Sequence, residues 1–192
     1  MPILIDTETR TGILVQAIND ILIESGPAGL TIRNIAKVSG VGPSSIYERM
    51  GSREHLLRVA AGRTSKARTA SLRVESAIQG VPAFLPREPE EVLDTRAWLA
   101  WLELWRVEDF LSRWIAESRA DERALLARTT DYQLVRNELD ELLALVDGLR
   151  TAICAPVEPM RLETAHDILT KRCHTLLGCR VSPAQTQSRR TA

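Results

Sequence analysis

The chain has 192 residues, 44% of them hydrophobic, and 25 basic residues balance 25 acidic ones to a formal net charge of zero. That is enough apolar material for the core of one large globular domain or two small ones. No run approaches the ~18 apolar residues of a membrane span, and MPILIDTETR has no basic segment leading into an apolar one, so a soluble, cytoplasmic protein is expected, with no membrane partner. Three cysteines, Cys154, Cys173 and Cys179, are too few and too scattered for a disulfide framework. The charge is unevenly spread: residues 1–70 hold nine Lys or Arg against six Asp or Glu, and the remainder sixteen against nineteen. A basic first part and an acidic second part fit a small module that meets phosphates, joined to a larger one that does not.

In chain order the sequence reads as helix almost throughout. Ile13, Leu14, Ala17, Ile18, Ile21 and Leu22 form one face of a first helix, stopped by Gly26-Pro27. Thr31 is the expected N-cap of a second helix, with Leu30 and Ile35 as a hydrophobic staple. Gly42 and Pro43 open a third, stapled by Val41 and Ile46, and Ser52 caps a fourth that runs from Arg53 towards Ile78. The stretch 79–90, QGVPAFLPREPE, carries three prolines and reads as a connector. Long helices follow at about 91–106, 108–130, 133–154 and 159–178, and residues 181–192 read as a frayed tail. These elements define an all-α chain with three parts: a helix-turn-helix domain over residues 1–60, its fourth helix serving as a link, then a larger helical domain over 61–180 and the tail.

The stretch VSGVGPSSIYERMGSREHLL carries the chemistry. A helix-turn-helix needs a small residue where two helices cross, a residue tolerant of positive φ in the turn, and an apolar residue pinning the second helix to the first. Ala36, Gly40 and Ile46 meet these needs. The short helix from Pro43 to about Met50 can then enter a DNA major groove, its N-terminal residues facing base edges. Pro43, Ser44 and Ser45 are short enough for close approach, and Tyr47 can reach a phosphate or a base. Arg33, Arg49 and Arg53 are candidate phosphate ligands, joined by free N–H groups near Thr31, Gly42 and Ser52.

LTIRNIAKVSGVGPSSIYERMGSREHLL resembles the DNA-binding segment of the tetracycline-repressor (TetR) family of bacterial regulators. Thr31, Ile35, Ala36, Gly40, Val41, Ile46, Tyr47, Ser52, Arg53 and Leu56 follow the family pattern. Gly42 stands where a Ser cap is usual, Arg49 in place of His or Tyr, Met50 in place of Phe, and Arg53 in place of Lys. The resemblance covers about residues 10–60. It implies a homodimer bound to a palindromic double-stranded DNA operator and released by a small-molecule effector, most simply as a repressor. A helical protein-interaction module that keeps the motif without binding DNA is the alternative.

RAWLAWLELW and ALVDGLRTAI more loosely resemble the regulatory domains of choline-responsive (BetI-like) members of that family. The family dimerises through its last two long helices. Leu139, Leu142, Leu143, Val146, Leu149 and Ile153 form one apolar stripe here, and Leu162, Ala165, Leu169, Cys173 and Leu176 another; these are the expected dimer interface, the alternative being that both stripes only face the core of a single chain. All four tryptophans fall between residues 98 and 114. Trp98, Trp101 and Trp105 share a helix face with Leu102 and serve either as core or as pocket lining. As a pocket, with Glu108 and Phe110 nearby, they would suit an aromatic or cationic effector. His55, His166 and His174 do not stand at metal-ligand spacing with the cysteines, and nothing orders the carboxylates into an acid/base pair, so neither a metal, a cofactor nor an enzyme activity is expected.

Overall fold

The computed structural model describes residues 7–178. Among them there is no strand, and the α-helices are α1 (Thr7–Ser25), α2 (Ile32–Ser39), α3 (Pro43–Met50), α4 (Arg53–Gln79), α5 (Pro89–Trp105), α6 (Ser112–Thr129), α7 (Arg136–Ile153) and α8 (Leu162–Gly178). Short 3-10 turns at Pro27–Gly29, Val81–Phe84 and Asp109–Leu111 join some of them. Cys179 and the expected tail lie outside the described residues.

By its contacts the chain forms two compact units. Among the described residues the first holds 7–71 and Glu88–Glu122; the second holds Leu72–Arg87 and 123–178. The division cuts through α4 and α6, not at residue 60, because the helix-turn-helix core recruits side chains from much later in the chain. Leu14, Ile18, Ile21 and Leu22 of α1 pack with Ile35, Ile46, Met50, Leu56 and Leu57, and into the same cluster come Trp101 and Leu104 of α5 and Leu111. The Trp101 indole N–H donates to Asn19 Oδ1 at 2.8 Å, so the one polar atom of a large buried side chain has its partner. Burying each such apolar side chain contributes about 1.5–3 kcal/mol.

In the second unit α8 packs on α7 and on the 3-10 turn at Val81–Phe84. That turn lies in the proline-rich stretch expected to be a connector. Its prolines do stop an α-helix, but Val81, Ala83, Phe84 and Leu85 are all buried, so the segment is core with a kinked backbone. His166 Nε2 lies 3.0 Å from the Pro86 carbonyl oxygen, which fastens α8 to the same stretch. Arg172 of α8 pairs with Glu141 of α7 at 2.5 Å.

The stripes expected as an interface on α7 and α8 face inward in this chain. Leu139, Leu142, Leu143, Val146, Leu149, Ile153, Ala165, Leu169, Cys173 and Leu176 are buried within this single chain, and Leu162 is half-buried. Each stripe faces its own subunit's interior. Among the residues exposed on these helices are Ala144 and Gly148 on α7 and Ile168, Lys171 and Thr175 on α8, beside a half-buried Leu145.

Candidate nucleic-acid interface

The helix-turn-helix is built from local backbone chemistry. Thr31 sits in an extended conformation and its Oγ1 accepts from Asn34 N at 3.1 Å, capping α2. The Asn34 amide in turn donates to the Gly29 carbonyl at 2.9 Å and ties the cap to the preceding turn. At the far end Gly40 has φ +69°, left-handed backbone that a side chain would strain, and Val41 N donates to Ser39 Oγ. Pro43 then begins α3 after Gly42, whose carbonyl accepts from Ile46 N at 3.1 Å. Gly51, φ +68°, closes α3, and Ser52 Oγ accepts from His55 N to start α4.

This framing decides which side of α3 is free. Ile46 and Met50, one turn apart, are buried in the core. Pro43, Ser44, Ser45 and Glu48 are exposed, and so is Tyr47, with 51% of its surface accessible. Short hydroxyls and a phenol therefore stand together on one outward edge of an eight-residue helix. Arg33 and Lys37 are exposed on α2. Lys37 was not singled out from the sequence, although its place in the last turn of α2 next to the turn glycine was a usable signal.

The three candidate arginines differ in how free they are. Arg33 is exposed, whereas Arg49 is half-buried and already has a partner within the chain. Arg53 is committed: its Nε donates to the Leu30 carbonyl at 3.1 Å and its Nη1 to Glu108 Oε1 at 2.7 Å. It clamps the turn before α2 and the segment after α5 to the start of α4. A phosphate would have to compete with Glu108 for it.

The aromatic residues do not assemble into a common site. Trp98 is buried with the Arg68 guanidinium 4.3 Å above its ring, and Arg68 also donates to Glu122 at 2.8 Å. Glu122 is inside the unit and accepts from Arg119 as well. The face of Trp98 that could take a cationic ligand is thus covered by the protein's own cation. Trp101 is core, and Leu102 is half-buried. Trp105 ends α5, is 38% exposed, and donates its N–H to Ser112 Oγ. Glu108 belongs to the Arg53 clamp, and Phe110 lies under Arg58 at 5.4 Å. Helical periodicity puts Trp98, Trp101, Leu102 and Trp105 on one face, with Phe110 nearly opposite; it does not show that separate neighbours cover each.

Cys173 is buried, and the loss of solvation pushes its thiol pKa up, which keeps it protonated and unreactive. Among the described residues no group of three or more His, Cys, Asp or Glu could hold a metal ion, and no helix is long and apolar enough to cross a membrane.

Solved structures share this architecture. The chain superposes on a transcriptional regulator from Rhodococcus sp. Rha1 with a TM-score of 0.78 at 18% identity, covering 90% of this chain and 99% of that one. A TetR-like transcriptional regulator from Rhodococcus sp. RHA1 gives 0.59 at 18% identity over 91% and 99%. The multidrug binding protein EbrR, complexed with ethidium, gives 0.59 at 20% identity over 87% and 99%. The chain therefore has the fold of TetR-family transcriptional regulators. No protein-family model and no curated protein matches its sequence.

Proposed function

We propose that this protein is a TetR-type transcriptional regulator, acting as a repressor, that binds a palindromic operator as a homodimer and is released by a small-molecule effector. The observation that carries the reading is the outward edge Pro43-Ser44-Ser45-Tyr47, on a short helix anchored from behind by Ile46 and Met50 and bounded by Gly42 and Gly51. In this reading Ser44, Ser45 and Tyr47 meet base edges, while Arg33, Lys37 and the free N–H groups at the starts of α2 and α4 meet phosphates. Arg49 and Arg53 hold the geometry and reach phosphate only by giving up partners. Two copies would set their α3 helices about 34–36 Å apart, one turn of DNA.

The dimer contact in this reading lies on the outward sides of α7 and α8, around Leu145, Gly148 and Ile168, since the inward stripes are used within the subunit. An effector shifts the population of operator-competent dimers by its differential affinity for the two states. The multidrug binding protein EbrR, of the same fold, is complexed with ethidium, which supports an aromatic effector here. In this chain the covered face of Trp98 argues against a cationic effector seated there.

The test is a mobility-shift titration of duplex taken from upstream of the protein's own gene, at two stated salt concentrations. Saturable, salt-sensitive binding that Tyr47→Ala and Ser45→Ala weaken, with helix content retained, is the expected result. Equal binding by both variants and the parent would remove α3 from the interface; no binding to any such duplex would favour the protein-interaction module.

A further inference from the structure

The second unit contains a cleft of about 280 Å³ between the end of α4 and the end of α6. Arg73, Ser76 and Gly80 line one side, and Arg128, Thr129 and Asp131 the other. The volume falls just under the ~300 Å³ at which drug-sized ligand sites begin, so the occupant must be small.

Charge defines what fits. Arg73, Arg128 and Asp131 are all exposed, and none forms an ion pair with a described residue, although all three face one opening. Two guanidinium groups and one carboxylate around a small cleft would ordinarily pair across it. Here no nitrogen–oxygen pair among them comes within 4.0 Å, which leaves the space between them to be filled. The hydroxyls add neutral acceptors: Thr129 Oγ1 donates its proton to the Leu125 carbonyl at 2.8 Å and keeps its lone pairs free.

A second, independent observation concerns how Asp131 gets there. α6 ends with Tyr132 N bonded to the Ala127 carbonyl at 2.8 Å and Asp131 N to the Arg128 carbonyl at 3.0 Å. In this termination the residue after the cap adopts left-handed backbone and is usually glycine. This chain has Asp131 there at φ +50°, followed by Tyr132 at φ +56°. Left-handed backbone costs a residue such as Tyr132 about 1–2 kcal/mol, and Asp131 less, because a short polar side chain tolerates it better. The strain holds a carboxylate on the rim of the cleft, where glycine would have been the easier choice.

We propose that this cleft binds a small zwitterion of the amino-acid class, its carboxylate held by Arg73 and Arg128 and its ammonium by Asp131. Arginine forks match a carboxylate bidentately, and a carboxylate on the opposite rim matches an ammonium. The inference stands apart from the DNA-binding reading, because it needs only the second unit to be folded.

Calorimetry or amide chemical shifts of the full chain, titrated with L-alanine, acetate and ethylammonium, tests it. L-alanine is expected to bind saturably with a Kd of about 1 mM or tighter, acetate more weakly and ethylammonium not at all. Arg73→Gln and Arg128→Gln should each weaken L-alanine binding about tenfold, the loss of one charge-assisted hydrogen bond. Asp131→Gly separates function from folding: it relieves the left-handed strain and so raises thermal stability, yet should lower L-alanine affinity to that of acetate. No saturable response to L-alanine, equal binding of acetate and L-alanine by the parent, or affinity unchanged by both arginine variants would overturn the proposal.

Discussion

The core beneath α3 and the core beneath α7 and α8 are written into the sequence in different ways. Around α3 the sequence signals were a cap, a turn glycine and a staple, all acting within a few residues, and each sits where expected: Thr31 on Asn34, Gly40 at positive φ, Leu30 and Ile35 in one cluster. On α7 and α8 the signal was an apolar stripe, which reports that a face is buried and is silent about what buries it. There the partner is the same chain. A local signal names its own partner, and a periodic one does not.

Four measurements sharpen that contrast. The largest effect is expected from Trp101→Ala, which removes a buried indole from the core beneath α3 and the shorter of the two hydrogen bonds to Asn19 Oδ1, leaving that from Thr64 Oγ1 at 3.4 Å; it should cost about 3–5 kcal/mol, read as thermal unfolding, and would show that α5 supports the helix-turn-helix. A loss under about 1 kcal/mol would detach α5 from that core.

Next comes Leu142→Ala, expected to cost about 2–5 kcal/mol because the side chain is fully buried within the subunit. Its counterpart Ile168→Arg, on the outward side of α8, should leave stability within about 0.5 kcal/mol and shift the mass measured by light scattering towards the single subunit. The reverse pattern would restore the inward stripes as the dimer interface.

Gly62→Ala should destabilise by about 1–3 kcal/mol, because its new Cβ would press into the Trp114 indole at Nε1, whereas the same change in an open helix stabilises. The sign of the change in melting temperature is the readout. A stabilised variant would mean that Trp114 moves aside easily.

The smallest effect on stability is expected at the Arg53–Glu108 pair. Both groups are partly exposed, so solvent screening limits Glu108→Ala to about 0.5–1 kcal/mol in thermal unfolding. Its value lies in operator binding. If Arg53 is a phosphate ligand held back by Glu108, Glu108→Ala should tighten binding and Arg53→Ala weaken it. If Arg53 only clamps, both should weaken binding.

Much of the fold was legible because helices announce themselves locally. The long helices lie within a few residues of their expected places, and the all-α class follows from them. The differences fall where tertiary packing overrides local chemistry. The proline-rich stretch at 79–90 reads as linker because prolines break helices, but Phe84 and Leu85 are drawn into the core. The helix expected from residue 108 starts at Ser112, after a 3-10 turn that sinks Leu111 into the core beneath α3. Of the residues proposed to face DNA, the exposed edge of α3 could be read from spacing alone. The engagement of Arg53 could not, since its acidic partner is 55 positions away.

Sequence by itself determined the helical class, the capped and glycine-turned pair of short helices, and the inward anchor at Ile46, because each depends on backbone geometry and neighbours within one or two turns. Only the tertiary structure decided that α5 completes the core beneath α3, that the stripes of α7 and α8 are spent inside the subunit, and that Arg73, Arg128 and Asp131 share one cleft. The reason is physical: burial and charge pairing are properties of surfaces brought together from distant parts of the chain, and a single helix carries no record of which surface will cover it.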